Sequence, residues 1–504
     1  MRRKQKENLK FLRCPRRPAW IGGMTGEELE AMEYAEFIEW RKKLAELSEE
    51  KGIMMTPFEK NLEFWRQFWR VLERSDLIVQ IIDARNPLMF YCEDIHSYTK
   101  EISDGKENVL LLNKSDYLTE QQRKYWADYF GRQGIKALFF SALDETNDHK
   151  MQLRSIREER TGESSDGNSS EENSEESELE TEENEREGLV GKMNEFALKE
   201  EFSLDMVAEY IRDGRLFKRK ELIEVLRSLH TKPDARHKSD YLTIGLVGYP
   251  NVGKSSTINA LIECKKVSIS ATPGKTKHFQ TIFLDEQLCL CDCPGLVFPN
   301  FVLSKAEMIL NGILPVDQIK DFRPPINLLV SVVPLRVFQA KYSLILPANE
   351  EYRQKEHLTS DELLNSYSLM KGYVTGRGLP DHAKSAKCLI RDFVSGHLLY
   401  CYAPPDVDQR KFQPYDDCEV KFLPKHITPQ QRRVLTNGLD KDEFNERYFK
   451  QIESHAQTKG INGIRSGSSL SLDERSDKPW REANKVKRNK REKLRKTYRY
   501  LDEH

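Results

Sequence analysis

Apolar residues along the chain follow two periods. Leu62, Trp65, Trp69 and Leu72 recur at helical spacing, behind Thr56, Pro57 and Glu59, which offer an N-cap, a first-turn proline and a capping-box acid. This predicts an amphipathic helix over 57–74 with its aromatic stripe in a core. Residues 77–82, 109–112 and 135–140 are instead continuous apolar or β-branched runs separated by helical patterns, as expected of strands buried in a parallel sheet. Strand signals return at 241–247, 279–284 and 287–291, a helical region follows to about Gly396, and regularity fades after Pro404-Pro405. From Gly162 to about Gly188 there is scarcely an apolar residue, so that stretch reads as a disordered insertion. The pattern predicts an α/β fold, a mostly parallel sheet with helices on both faces, followed by a helical domain.

Composition adds solvated arms to this picture. The 504 residues are 38% hydrophobic and 32% charged, enough for a sizeable core but not for a chain packed throughout. No run of 18 apolar residues is present, so no integral membrane segment is expected, and the first residues lack the apolar core of a secretory signal. An odd count of nine cysteines points away from a disulfide framework and towards a reducing compartment. Cys289, Cys291 and Cys293, two apart, read as buried thiols on one strand face rather than metal ligands.

The net charge of -1 conceals a segregation. Positions 162–187 hold 12 Asp/Glu against one Arg, whereas positions 1–17 hold eight Lys/Arg and positions 485–499 hold nine, each with one Glu. Both ends read as polyanion-binding arms, RNA being the favoured partner.

Gly248-Tyr249-Pro250-Asn251-Val252-Gly253-Lys254-Ser255 fits G-x-x-x-x-G-K-[ST] between an apolar strand and a helix. Glycines there admit backbone N–H groups to phosphate, Lys254 reaches the β and γ oxygens, and the Ser255 hydroxyl is placed to hold Mg²⁺. Gly248, Asn251, Val252, Gly253, Lys254, Ser255 and Ser256 are the candidate phosphate-binding residues. Asn113-Lys114-Ser115-Asp116, at the end of another predicted strand, resembles the guanine-reading motif of GTPases. A carboxylate at Asp116 accepts from both the ring N–H and the exocyclic amine of guanine, a donor pair adenine lacks. Asn113 would brace that loop, and Ser141-Ala142, closing a third strand, resembles the element whose backbone N–H meets the guanine carbonyl. Asp292-Cys293-Pro294-Gly295 resembles D-x-x-G, in which Asp292 holds Mg²⁺ through water and the Gly295 N–H senses the γ-phosphate. In the Pro273-Gly274-Lys275-Thr276 stretch between them, Thr276, in preference to Thr272, is the candidate switch threonine for Mg²⁺. Lys254, Thr276 and Gly295 are thus the residues expected to act in hydrolysis of GTP to GDP.

The motif order is unusual, because N-K-x-D at 113 precedes the phosphate loop at 248, which is a circular permutation bridged by the acidic segment. With Asp83-Ala84-Arg85-Asn86-Pro87 matching D-A-R-x-P, residues 56–400 resemble the circularly permuted ribosome-assembly GTPases of the YlqF/YawG type. CPRRP at 14–18, TPFEKNLEFWRQ at 56–67, GILPVDQIKD at 312–321 and VSGHLLYCYAPP at 394–405 are most similar to the cytoplasmic eukaryotic branch of that family. The domain plan becomes a basic arm and helix over 1–55, a permuted GTPase domain over 56–300 with its acidic insertion at 157–188, a helical domain over 301–405, and an extension over 406–504 ending in the basic tail.

The resemblance implies GTP hydrolysis on the large ribosomal subunit, through its rRNA and proteins, coupled in the cytoplasm to release of the nuclear export adaptor. Nuclear shuttling or peripheral association with the endoplasmic reticulum is a further expectation. The resemblance also implies a K⁺ ion held partly by Asn251, the alternative being that Asn251 serves only to form the turn. Leu296 stands where many GTPases carry the Gln that orients water, and 57–61 lacks a His that bacterial relatives carry, so no general base is named and intrinsic turnover should be slow. The competing expectations are a GTP-responsive RNA-binding scaffold that hardly hydrolyses and a nucleolar paralogue acting earlier in assembly.

Overall fold

Seven strands form one sheet in the order β4-β3-β2-β1-β5-β7-β6. They are β1 (Leu77–Asp83), β2 (Glu107–Asn113), β3 (Ala137–Phe140), β4 (Leu216–Phe217), β5 (Leu242–Val247), β6 (Gln280–Asp285) and β7 (Leu288–Asp292). Every pairing is parallel except β6 with β7. The computed structural model describes residues 12–20, 23–51, 54–148, 204–229, 241–263, 279–302, 304–342, 344, 346, 356–375 and 379–414. All of them belong to one unit, Met1–Phe449. The acidic segment, the candidate switch stretch 273–276 and the basic tail lie outside the described residues, as do positions 1–11.

All seven residues of β1 are buried, as the continuous apolar run requires of a central parallel strand. β1 lies between β2 and β5, so the sheet is joined at its middle by residues far apart in sequence, Leu77 opposite Ile244 and Gln80 opposite Val247. The Asp76 carboxylate and carbonyl seal this junction by bonding the Thr243 N–H at 2.9 Å and the Glu107 N–H at 3.1 Å. Helix Leu62–Arg74 crosses closely, because a Cβ on Gly245 would lie 2.5 Å from Ser75 Oγ and 2.8 Å from Val71 Cγ1. Trp65, Phe68 and Trp69 of that helix are all in the core, as the aromatic stripe predicts.

The start of this helix differs from the sequence expectation. Asn61 is the N-cap, its side chain accepting from the Glu63 N–H at 3.0 Å. Thr56 bonds the segment after β7 instead: its hydroxyl donates to the Phe298 carbonyl at 2.6 Å and accepts from the Asn300 N–H at 3.0 Å. Glu59 folds onto the Lys60 and Asn61 N–H groups, both at 2.8 Å. An antiparallel bridge of Met55 with Phe301, next to Thr56, draws that threonine away from the helix start.

The reading of positions 1–17 as a free polyanion-binding arm is also corrected for its last residues. Cys14 is buried, and Trp69 Nε1 donates to the Pro15 carbonyl at 2.8 Å. Arg16 bonds Asp94 and Glu101, each at 2.9 Å through Nη2, and Arg17 bonds Glu33 at 2.8 Å and Glu73 at 2.7 Å. Those guanidinium groups are neutralised within the fold.

Beyond β7 the chain becomes helical, and a second core forms around Ile326, Leu329, Leu364, Leu389, Ile390 and Phe393. Helix His382–Ser395 is capped by Asp381, which accepts from the Lys384 N–H at 3.0 Å, and ends at Gly396 in the left-handed region at φ 88°. The segment after it returns to the sheet: Cys401 and Phe412 join the first core, and Gln122 Nε2 donates to the Phe412 carbonyl at 2.7 Å. Order thus extends past the Pro404-Pro405 pair. No described helix is long and apolar enough to cross a membrane.

Candidate nucleotide site

The loops that end β1, β2, β3, β5 and β7 meet at one edge of the sheet, as the carboxyl ends of parallel strands do in ligand-binding α/β folds. After β5 the chain turns through Gly248 at φ 155°, Asn251 at φ 63° and Gly253 at φ 100° before helix Lys254–Ile262 begins. The glycines are required by contact as well as by φ. A Cβ on Gly248 would sit 2.3 Å from the Ile81 carbonyl oxygen, and one on Gly253 would sit 2.1 Å from Asn113 Nδ2. The loop is thereby pressed against the ends of β1 and β2.

Lys254 is buried and donates to the carbonyls of Gly248 at 3.0 Å and Tyr249 at 2.7 Å. Burial lowers its pKa to about 8, against the opposing pull of Asp292. Ser255 and Ser256, in the first turn of the helix, are half-buried. The backbone N–H groups at such a helix start make an anion site.

Asp292 ends β7 with its carboxylate buried and neither oxygen hydrogen-bonded among the described residues. Burial raises its pKa to about 6, with Lys254 holding it down. An orphaned carboxylate beside a phosphate-loop lysine fits a hydrated divalent cation, with Ser255 as the hydroxyl partner. Mg²⁺ bound there would neutralise phosphate charge. Gly295 packs closely, since a Cβ would meet Lys254 Nζ and Pro250 Cα, each at 3.0 Å. Leu296 is buried, with its N–H on the Gly248 carbonyl at 3.2 Å, so it presents no polar group to water. Thr276 lies outside the described residues.

The 113–116 turn adjoins the phosphate loop. Asn113 Nδ2 donates to the Val252 carbonyl at 2.9 Å, and Asn113 Oδ1 accepts from the Ala142 N–H at 3.2 Å. Lys114, at φ 63°, donates through Nζ to Asp83 at 2.8 Å and to the Asn251 carbonyl at 3.0 Å. Asp116 accepts from the Ser141 hydroxyl at 2.9 Å, while burial raises its pKa. Asn113, Lys114, Asp116, Ser141 and Ala142 are thus gathered beside Gly248, Asn251, Val252 and Gly253. The Ala142 N–H is engaged by Asn113, which the sequence reading did not anticipate. That reading also missed Asp83 as the partner of Lys114, and Arg85 behind it, although D-A-R-x-P was the signal for both. Cys289, Cys291 and Cys293 are buried, and no cluster of metal-binding type occurs among the described residues.

A family model described as 50S ribosome-binding GTPase matches residues 243–338, from β5 through the D-x-x-G turn into the helical region. Over its whole length the chain is 44% identical to Large subunit GTPase 1 homolog of Drosophila melanogaster, of which it covers 84%. Over 98% of its length it is 40% identical to the protein of that name from Mus musculus, again covering 84%. This chain belongs to the Large subunit GTPase 1 family. It is a circularly permuted P-loop GTPase that binds guanine nucleotide and hydrolyses GTP, a class that typically uses Mg²⁺. Among solved structures, GNP-bound YlqF from T. maritima aligns over 68% of this chain and 99% of its own at 19% identity and a TM-score of 0.38.

Proposed function

We propose that this GTPase works in biogenesis of the large ribosomal subunit, hydrolysing GTP in the cytoplasm to drive release of the nuclear export adaptor from the exported subunit. The observation that carries the reading is the full-length similarity to proteins named for a large-subunit GTPase. In this reading Asp116 reads the guanine edge and Ala142 lies beside its carbonyl. Lys254 meets the β and γ phosphates among the N–H groups of 251–256, and Ser255, Asp292 and Thr276 attend Mg²⁺. Asn251 holds a K⁺ ion through its side-chain oxygen, since its Nδ2 is engaged with the Gly312 carbonyl at 3.3 Å.

The chain's own contribution to catalysis is electrostatic: Lys254 offsets phosphate charge and Gly295 offers an N–H to the γ-phosphate. With apolar Leu296 buried at the water-facing position, a group that completes the site comes from the ribosome. The basic run at 485–499 supplies non-specific affinity for rRNA. The test is phosphate release by the full chain with purified large or small subunits, in KCl or NaCl. Stimulation by the large subunit, greater in KCl, is expected. Turnover that no subunit raises would favour a GTP-responsive scaffold instead, and capture only on early nucleolar particles would favour action earlier in assembly.

A further inference from the structure

The D-A-R-x-P segment after β1 touches both the guanine turn and the helical region. Arg85 is bidentate on Asp83, Nε to Oδ1 at 3.0 Å and Nη2 to Oδ2 at 2.7 Å. Its Nη1 donates to the carbonyls of Phe393 at 3.2 Å and Val394 at 2.9 Å. These belong to the last turn of helix His382–Ser395, where the helix dipole is negative and the Phe393 carbonyl also takes the Gly396 N–H at 3.2 Å. The Asp83 oxygen that takes Arg85 Nη2 also takes Lys114 Nζ. One buried carboxylate is therefore shared by the cation that holds the helix end and the cation in the guanine turn. The two cations hold Asp83 well below the usual carboxylate range, so it stays ionised as that bridge.

Further contacts lie along the same seam. Tyr117 Oη donates to the Ser395 carbonyl at 3.0 Å, and a Cβ on Gly396 would sit 2.5 Å from the Tyr117 ring. Asn86 Nδ2 donates to Asn311 Oδ1 at 2.9 Å, and the Tyr402 N–H donates to the Arg85 carbonyl at 2.8 Å. The phosphate end of the site has contacts of its own, with Asn251 Nδ2 on the Gly312 carbonyl at 3.3 Å. Residues following the D-x-x-G turn bond the amino-terminal segment, with the Thr56 N–H on the Asn300 carbonyl at 2.8 Å and the Glu59 N–H on the Val297 carbonyl at 3.0 Å.

We propose that Arg85 is a positioning residue that couples occupation of the guanine site to the seating of helix His382–Ser395. The base end of the nucleotide thus acts on the helical region at the end of this helix. A base held by Asp116 fixes the 113–116 turn and with it Lys114; Lys114 orders Asp83, and Asp83 orders the Arg85 fork against the helix end. The coupling rests on the guanine reading of Asp116, and ligand choice separates the two: a wild-type chain that bound ADP as well as GDP would refute that reading, not the wiring.

The experiment is hydrogen exchange of the full chain, followed in peptides covering 390–402, with and without saturating GDP and with ADP as the control. In the wild type GDP should slow exchange there by about fivefold or more, the lower end of usual coupling energies, and ADP should not. Arg85→Lys keeps an ion pair to Asp83 but not a planar fork, so it should bind GDP nearly as the wild type does while losing the response at 390–402. Tyr117→Phe removes only the hydroxyl on Ser395, and it should bind GDP normally with a reduced response; this variant decides the matter should Arg85→Lys fail to fold. A wild-type chain that binds GDP with no change at 390–402 overturns the proposal, as do two folded variants that respond as the wild type does.

Discussion

Asn113 holds Val252, 139 positions later in the chain, through a 2.9 Å bond from its side-chain amide to the Val252 carbonyl. The other end of the same side chain takes the Ala142 N–H. Three strand-end loops thus converge on one amide.

Asn113→Ala should therefore damage the site beyond its own position. It strands a buried carbonyl at Val252 and a buried N–H at Ala142, which costs about 1–3 kcal/mol for each group. GDP affinity should fall by about tenfold or more, read by fluorescence titration. Gly253→Ala should fail similarly, since its Cβ would fall 2.1 Å from Asn113 Nδ2. Wild-type affinity in both variants would remove Asn113 from the site.

Asp116→Asn should exchange one base for another. In the proposed reading its carboxylate accepts from both guanine donors, whereas an amide presents one acceptor and one donor. Competition titration should find weaker GTP binding and gained affinity for xanthosine nucleotide, whose ring carbonyl accepts from the amide. An unchanged order of preference would refute the guanine assignment.

Lys254→Ala should separate binding from turnover. The lysine's side chain bonds the carbonyls of Gly248 and Tyr249 and, among the described residues, none of 113–116, so GDP binding should fall less than hydrolysis. Single-turnover phosphate release should drop by about a hundredfold or more, in the range of a lost electrostatic contact. A variant as fast as the wild type would place hydrolysis elsewhere.

Mg²⁺ dependence should be sensitive to pH. Burial raises the Asp292 pKa to about 6, so in the ligand-free chain the carboxylate is anionic above that value and protonated below it. A proton then competes with the cation. The Mg²⁺ concentration giving half-maximal GTP binding should stay level above pH 7 and rise about tenfold per unit below 6. Asp292→Asn should abolish the slope; a level response down to pH 5 in the wild type would contradict the assignment.

Six of the seven strands were legible because continuous apolar runs and turn residues are local signals. β4, two residues long, carries no such signal, and its register exists only through Phe139 and Phe140. The phosphate, guanine and D-x-x-G motifs were legible since each packs its chemistry into four to eight consecutive residues. Thr56 and Arg16 were misread for the opposite reason. A threonine before a proline has the same composition whether it caps a helix or pairs with Asn300, and an arginine in a basic run looks the same whether or not Asp94 waits for it. The Arg85 seam was equally hidden, because nothing near residue 85 indicates that the carbonyls of Phe393 and Val394 lie against it.

The junction of β1 with β5 dictates when, during its own synthesis, the protein can first take up nucleotide. Residues 77–142 emerge first and bring the guanine-reading turn, but the loop that Asn113 must brace is not yet translated. The early half offers β1 as a bare edge until β5 arrives to pair Leu77 with Ile244, a long-range closure that is intrinsically slow. A nascent chain is therefore blind to GTP until residues 242–296 have left the exit tunnel, and the first nucleotide it captures reports that both halves of the sheet have joined.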